Sequence, residues 1–268
     1  MERRALGSSG LLVPVVGMGT WKTFDVAHAE DRREVLDVAL GRGSNLIDSS
    51  PMYGHAERVL GELLRGRRGD VVVATKVWTP DDGEAERQLQ RALGYYDGRV
   101  DVYQVHNLVA WQKRLARLEQ LRDSGQVGVV GISHYAHSAF DDMLQLMRSG
   151  RVGSIQVPYN ALDRLVEQHV LPLAEELGIG VLIMQPLGKG PLAHRAVPEA
   201  RLAPLAEFGV RSWSQALLKW LVSDPRVTCV IPATSNAAHA RENAEAGDLP
   251  WFGPEERSYV VRLAEDYR

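Results

Sequence analysis

Eight short runs rich in β-branched residues alternate with longer amphipathic stretches from one end of this chain to the other, and no linker interrupts them. The runs are Val15–Gly19, Asn45–Ser49, Val71–Val77, Val102–His106, Val127–Ser133, Ile155–Pro158, Gly180–Gln185 and Val227–Ala233. Between them apolar residues recur at three- and four-residue spacing, as Val35, Val38 and Ala39 do. That spacing predicts helices over Asp31–Leu40, Glu84–Leu93, Arg114–Arg122 and Ser212–Val222. Gly-rich breaks at Gly41–Gly43, Gly66–Gly69 and Gly178–Gly180 stop several of these segments, because glycine readily takes the left-handed conformation that ends a helix.

Repeated strand–helix units in one piece predict an α/β fold, a (β/α)₈ TIM barrel in a single domain over residues 1–268. The leading RRALGSSGLLVP has the turn chemistry of a short N-terminal hairpin able to plug the barrel bottom. Gly253-Pro254 starts an extra C-terminal helix over Pro254–Tyr267. The competing fold is an open doubly wound sheet, which needs a Gly-rich phosphate turn after its first strand. Gly17-Met18-Gly19 begins such a turn, but Lys22 stands where the third glycine belongs.

A composition of 45% hydrophobic and 24% charged residues is that of a globular protein with a sizeable core. The net charge of −3 offers no electrostatic case for nucleic acid or an acidic membrane. The single cysteine, Cys229, excludes an intramolecular disulfide framework and sits in the apolar run VTCVIP, where it reads as core. No apolar stretch approaches the ~20 residues of a membrane helix. Arg3-Arg4 could open a twin-arginine signal, but Gly7, Ser8, Ser9 and Gly10 break the chain where its apolar region would lie, so the expected location is cytoplasmic.

In a barrel of this kind chemistry collects where strands end and βα loops begin. Asp48 closes NLID, Tyr53 comes next in SSPMYG, Lys76 closes VVVATK, His106 closes VYQVH and Ser133 closes VGVVGIS. A phenol, an amine, a carboxylate and an imidazole form a proton-transfer set. Tyrosine has a pKa of ~10, and a neighbouring cation favours the phenolate. Lys76 is the expected cation, Asp48 its partner, Tyr53 the acid and His106 a donor to a carbonyl oxygen. Each alone would be a rim charge or a structural histidine; their joint occurrence on consecutive strands points to catalysis. Gly188-Lys189-Gly190 suits a pyrophosphate, since glycine lets backbone N–H groups approach and Lys189 adds charge. Trp21, Trp78 and Trp111 come just after strand ends and are expected to wall an apolar substrate pocket with Tyr53 and His106, whereas Trp213 and Trp220 read as core.

Taken in order, GMGTW, LIDSSPMYG, ATK, QVHN, GIS, PLGKG and IPATSN resemble the motifs of the aldo-keto reductases, a family of (β/α)₈ enzymes that reduce aldehydes and ketones with a nicotinamide cofactor. The resemblance runs almost end to end. It implies Tyr53 as general acid, with Asp48, Lys76 and His106 as its partners. It implies that Gly19, Thr20, Trp21 and Asp48 face the cofactor. Ser133, His134 and Gln156 fall at the positions that hold the carboxamide, with His134 where an Asn is usual. Met184 stands where a tyrosine commonly stacks on the nicotinamide, so packing there is by a thioether. Pro186, Leu187, Gly188, Lys189 and Gly190 correspond to the pyrophosphate segment. Ile231, Pro232, Ala233, Thr234 and Asn236 lead into the adenosine site, with Glu242 and Asn243 at its adenine end. The family's basic residues for a 2′-phosphate correspond to Ala233 and His239, which predicts NADP(H) as preferred cofactor with NAD(H) possible and weak selection between them.

The expectation is therefore an NAD(P)H-dependent oxidoreductase acting on a small-molecule carbonyl substrate, without metal. A monomer suffices for such a site, and the oligomeric state is left open. The short sequence after the terminal helix predicts an open pocket. Two other readings stay open: a Schiff-base lyase using Lys76, and a slow or non-catalytic cofactor-binding regulatory protein of the same fold.

Overall fold

The computed structural model describes residues 1–267. It opens with an antiparallel hairpin, β1 (Arg3–Ala5) and β2 (Leu12–Pro14). Eight parallel strands come after it: β3 (Met18–Gly19), β4 (Leu46–Asp48), β5 (Val72–Val77), β6 (Val100–His106), β7 (Val127–Ser133), β8 (Ser154–Pro158), β9 (Gly180–Met184) and β10 (Cys229–Val230). Each pairs with its sequence neighbour. Helices fill the connections, among them α1 (Arg33–Gly41), α2 (Ala56–Leu63), α3 (Asp82–Tyr95) and α4 (Trp111–Asp123). The second half adds α5 (Phe140–Arg148), α6 (Val170–Leu177), α7 (Glu199–Leu202), α8 (Trp213–Val222), α9 (Ala237–Glu245) and the terminal α10 (Pro254–Asp266).

The first and last strands are shorter than their apolar runs suggest, because they meet at the seam of a closed barrel. There Gly17 N–H donates to Val230 O at 2.9 Å and Gly19 N–H to Pro232 O at 3.0 Å. Pro232 accepts but has no N–H to return, so the ladder is broken into the separate Val16–Val230 and Gly19–Ala233 bridges. A Cβ on Gly19 would lie 2.7 Å from Ile231 O, so this close approach requires glycine. Helix α1 also starts later than its periodicity implies, since Ala29–Arg32 form a tighter 3₁₀ turn ahead of it.

The strands' two-residue period separates two apolar sets. Leu46, Val72, Ala74, Val102, Val129, Leu182 and Cys229 cluster inside the barrel with Leu6 and Val13 of the hairpin region. Ile47, Val73, Val105, Ile132, Val157 and Ile183 belong to the larger core beneath the helices, with Trp213 and Trp220. Leu6 is the plug: a Cβ on Gly180 would meet its Cδ1 at 2.4 Å. Continuing the inward set upward reaches Asp48, Lys76, His106, Ser133, Gln156 and Met184, the polar ends of otherwise apolar columns.

Local signals set the helix ends. Asp81 caps α3 by accepting from Glu84 N–H at 2.6 Å, and Asn236 caps α9 by accepting from Ala238 and His239 N–H. Gly178, at φ 63°, ends α6 in the left-handed conformation. The terminal helix is held by Arg257, which donates to Tyr159 Oη at 3.2 Å and Asp224 Oδ2 at 3.3 Å.

Behind β5, Glu57 of α2 is buried and accepts from Thr75 Oγ1 at 2.5 Å. Burial pushes its carboxyl up to about 7. The folded state therefore keeps a proton that the unfolded chain releases near 4.3. The stability this contributes is full below that value and is lost as pH rises through about 7. Glu57→Gln is expected to match the parent near pH 4 and to exceed it at pH 8, by on the order of 3 kcal/mol. Urea melts at the two pH values check this, and equal differences at both would show that Glu57 is charged in the fold.

Candidate active site

The upper ends of the columns converge on a cavity of about 460 Å³. Asp48, Tyr53, His106, Gln156 and Met184 line it, as do Gly19, Thr20 and Trp21 at the seam side. Pro186, Leu187, Lys189 and Gly190 supply the wall after β9, and Ile231, Pro232 and Ala233 the wall after β10.

Asp48 and Lys76 form the floor. Lys76 is 1% exposed, and its ammonium donates to Asp48 Oδ1 and Oδ2, both at 2.7 Å, and to Ser49 O at 2.9 Å. Those three bonds use every proton of the ammonium. Gln104 Nε2 reaches Asp48 Oδ1 at 3.5 Å, and Thr20 Oγ1 donates to Asp48 O at 3.0 Å. Burial opposes both charges, pushing Asp48 up and Lys76 down, while each partner pulls the other back toward its ionised form.

Tyr53 stands above this pair. The Lys76 Nζ lies 5.4 Å from its ring centroid, and the His106 ring meets it edge-on at 6.0 Å. The expectation that Lys76 lowers the phenol is not met in this state. Burial holds Tyr53 well above the ordinary tyrosine value, and the Asp48 carboxylate pushes the same way. The reason is the close Asp48 partner, which neutralises the ammonium while desolvation of the phenolate remains. Tyr53 thus keeps its proton near neutral pH and is equipped to donate it. His106 is pushed down to about 2, by burial first and then by Lys76 and His134, so its imidazole is neutral. Its Nδ1 lies 2.8 Å from Ser50 Oγ.

Two buried polar atoms on adjacent strands lack a protein partner among the described residues: Ser133 Oγ and Gln156 Oε1, whose residues pair in register. Asn107 Oδ1 and Gln104 Oε1 are also unpartnered. An orphaned buried polar atom costs about 1–3 kcal/mol, so such a cluster suits a ligand with its own amide. In the loop after β9, Gln185, Gly188, Lys189 and Gly190 all have positive φ. The glycines make that tight turn possible, and Lys189 projects into the cavity wall.

Other expected residues lie away from the cavity wall. His134 stacks on Tyr135, and its Nδ1 accepts from Ala136 N–H at 3.0 Å. Trp78 is 40% exposed outside the wall, and Trp111 packs against the core. Thr234, Asn236 and His239 sit around the start of α9, and Glu242 and Asn243 in its last turn; none of them lines the cavity. Ala233, His239 and Arg241 are exposed there, while Glu242 accepts from Ser212 Oγ. Sequence reasoning missed Met52, Asn107 and Tyr135, which line the cavity, and Ser49, Ser50 and Gln104, which bond the catalytic set. Gln104 was findable, two residues before His106 on the same face of β6. The loop residues carry no such periodic signal. Among the described residues no cluster of His, Cys, Asp or Glu is placed to hold a metal ion, and no helix is long and apolar enough to cross a membrane.

Residues 15–265 match the profile of the Aldo/keto reductase family. The chain is 28% identical over 257 residues to the methylglyoxal reductase YeaE of Escherichia coli K12, covering 91% of this chain and 89% of that protein. Among solved structures, an aldo/keto reductase from Klebsiella pneumoniae in complex with NADP and acetate superposes with a TM-score of 0.84 at 24% identity, over 98% of this chain and 95% of that one. An aldo-keto reductase from the same organism in complex with NADPH gives 0.82 at 25% identity, with 98% and 95% covered.

Proposed function

The chain belongs to the aldo/keto reductase family of oxidoreductases, and from that membership we propose that it reduces aldehydes or ketones to alcohols with a nicotinamide dinucleotide. The observation that carries this reading is the Tyr53 phenol ring set edge-on to the His106 imidazole in the wall of one cavity, above the buried Lys76–Asp48 pair. Ser133 and Gln156 are the groups that would hold the carboxamide, and their orphaned atoms fit an amide that both donates and accepts. Met184 would pack on the ring, Gly188-Lys189-Gly190 would face the pyrophosphate, and Thr234, Asn236, His239, Glu242 and Asn243 the adenosine end. When bound, the nicotinamide supplies hydride to the carbonyl carbon. Tyr53 donates its proton to the carbonyl oxygen, completing the alcohol. His106, being uncharged, orients that oxygen by a hydrogen bond without delivering a proton. Asp48 and Lys76 hold each other in place below the ring, a paired charge that leaves the phenol protonated until the carbonyl oxygen accepts its proton. Trp21, Met52 and Tyr135 offer apolar surface to the substrate.

A Schiff-base lyase needs a free amine at Lys76, and all three protons of this ammonium are engaged. The test of the reading is initial rates with NADPH and NADH across aldehydes and ketones, including methylglyoxal, the substrate in the name of the Escherichia coli relative. Carbonyl-dependent oxidation of the cofactor is expected. Tight cofactor binding with no turnover of any carbonyl would instead favour a regulatory protein.

Cofactor choice carries a further expectation. Ala233 and His239 stand where basic residues would meet a 2′-phosphate, and hydrogen bonds to charged groups contribute ~1.5–3 kcal/mol. The native preference for NADPH is therefore expected to be modest. Ala233→Lys with His239→Arg is expected to tighten NADPH selectively in binding titrations. A native selectivity above roughly a thousandfold, about 4 kcal/mol, would mean that another cation such as Arg241 reaches the phosphate.

A further inference from the structure

We infer that Ser50 sets the tautomer of His106, donating its hydroxyl proton to Nδ1 and leaving the ring N–H on Nε2, where it meets the substrate's carbonyl oxygen. Ser50 is fully buried, and its Oγ lies 2.8 Å from His106 Nδ1. The other polar contact of that oxygen is the Met52 N–H at 3.4 Å, a donor. Among the described residues the ring nitrogen is thus the one hydrogen-bond acceptor available to the Ser50 proton. If Nδ1 carried the hydrogen instead, Oγ would accept two bonds and its own proton would be buried with no partner, the costlier arrangement. An imidazolium would donate at both nitrogens, but burial keeps this ring neutral. One nitrogen must therefore carry the lone pair, and Ser50 claims it at Nδ1. Nε2 has no protein partner among the described residues, and His106 lines the cavity. A lone pair at Nε2 would repel a carbonyl oxygen, whereas an N–H attracts it. Ser50 acts through His106 and is a positioning residue. The same turn carries Tyr53, whose N–H donates to Ser50 O at 3.0 Å, so one residue places both groups that address the oxygen.

This inference deepens the carbonyl-reduction reading and rests on it for the role of Nε2. The test is ¹⁵N NMR of the full chain labelled at histidine, with the His106 signals identified by their loss in His106→Gln. A pyridine-type Nδ1 and a pyrrole-type Nε2 are expected, constant between about pH 5 and 8. In Ser50→Ala the Nδ1 signal should move toward that of an unbonded nitrogen. The variant's kcat for a carbonyl should fall about tenfold, equivalent to ~1.4 kcal/mol, with cofactor Kd unchanged. Ser50→Cys, nearly the same shape with a weak donor, should behave likewise, and Ser50→Thr should restore both readouts. A proton on Nδ1 of the parent protein would overturn the inference, as would spectra unchanged in both the Ala and Cys variants. No carbonyl turnover by the parent would overturn the reduction reading alone, because the nitrogen spectrum is recorded without substrate.

Discussion

Tyr53→Phe is expected to lower kcat for carbonyl reduction by ~10²–10⁴-fold, the range typical of losing a general acid. The substitution removes one oxygen and keeps the ring that packs against the core. Among the described residues that oxygen makes no hydrogen bond to the protein, so nothing is orphaned by its loss. Thermal stability and cofactor Kd are therefore expected to stay close to the parent values. This separation of effects identifies the role: a structural tyrosine would change stability with activity, whereas a proton donor changes kcat alone. A variant keeping more than about a tenth of the parent kcat, well short of the range expected for a lost acid, would remove Tyr53 from the mechanism.

Lys76→Met is expected to damage both the fold and the reaction. It leaves Asp48, itself 2% exposed, without its cation. Removing one partner of a buried pair costs about 3–5 kcal/mol, because the remaining charge is uncompensated. Burial already pushes Asp48 up, and removing Lys76 takes away the cation that restrains it. With its folded pKa above the unfolded value of about 3.9, the carboxyl contributes stability that is full below that value and is lost as pH rises through the folded pKa. The gap between variant and parent should accordingly be widest above neutrality and narrow toward acid. Urea melts at about pH 4.5 and pH 8 measure it. Adding Asp48→Asn should recover part of the loss, since the orphaned charge is then gone. A Lys76→Met protein as stable as the parent at both pH values would show that the pair is not formed in solution.

Much of this architecture was legible beforehand because its signals are local. A strand's alternation and a glycine at a helix end depend on residues within a few positions. So does the rule that an inward column continues from Leu46 to Asp48, or from Ala74 to Lys76. Order and spacing alone therefore indicated eight strands, the hairpin, the terminal helix and the polar residue closing each column. The bonds that give those residues their chemistry are not local. Lys76 reaches Asp48 across 28 positions, and Ser50 reaches His106 across 56. Tertiary folding, which sets strand beside strand in the barrel, brings such pairs together. It decided that the ammonium is saturated and that burial and the Asp48 carboxylate hold the phenol protonated. It also decided that Tyr135, Met52 and Asn107 face the cavity while Trp111 packs against the core. The sequence by itself determined which chemical groups stand at the strand ends. The tertiary structure alone decided their protonation and partners, because desolvation and hydrogen bonding act between neighbours in space.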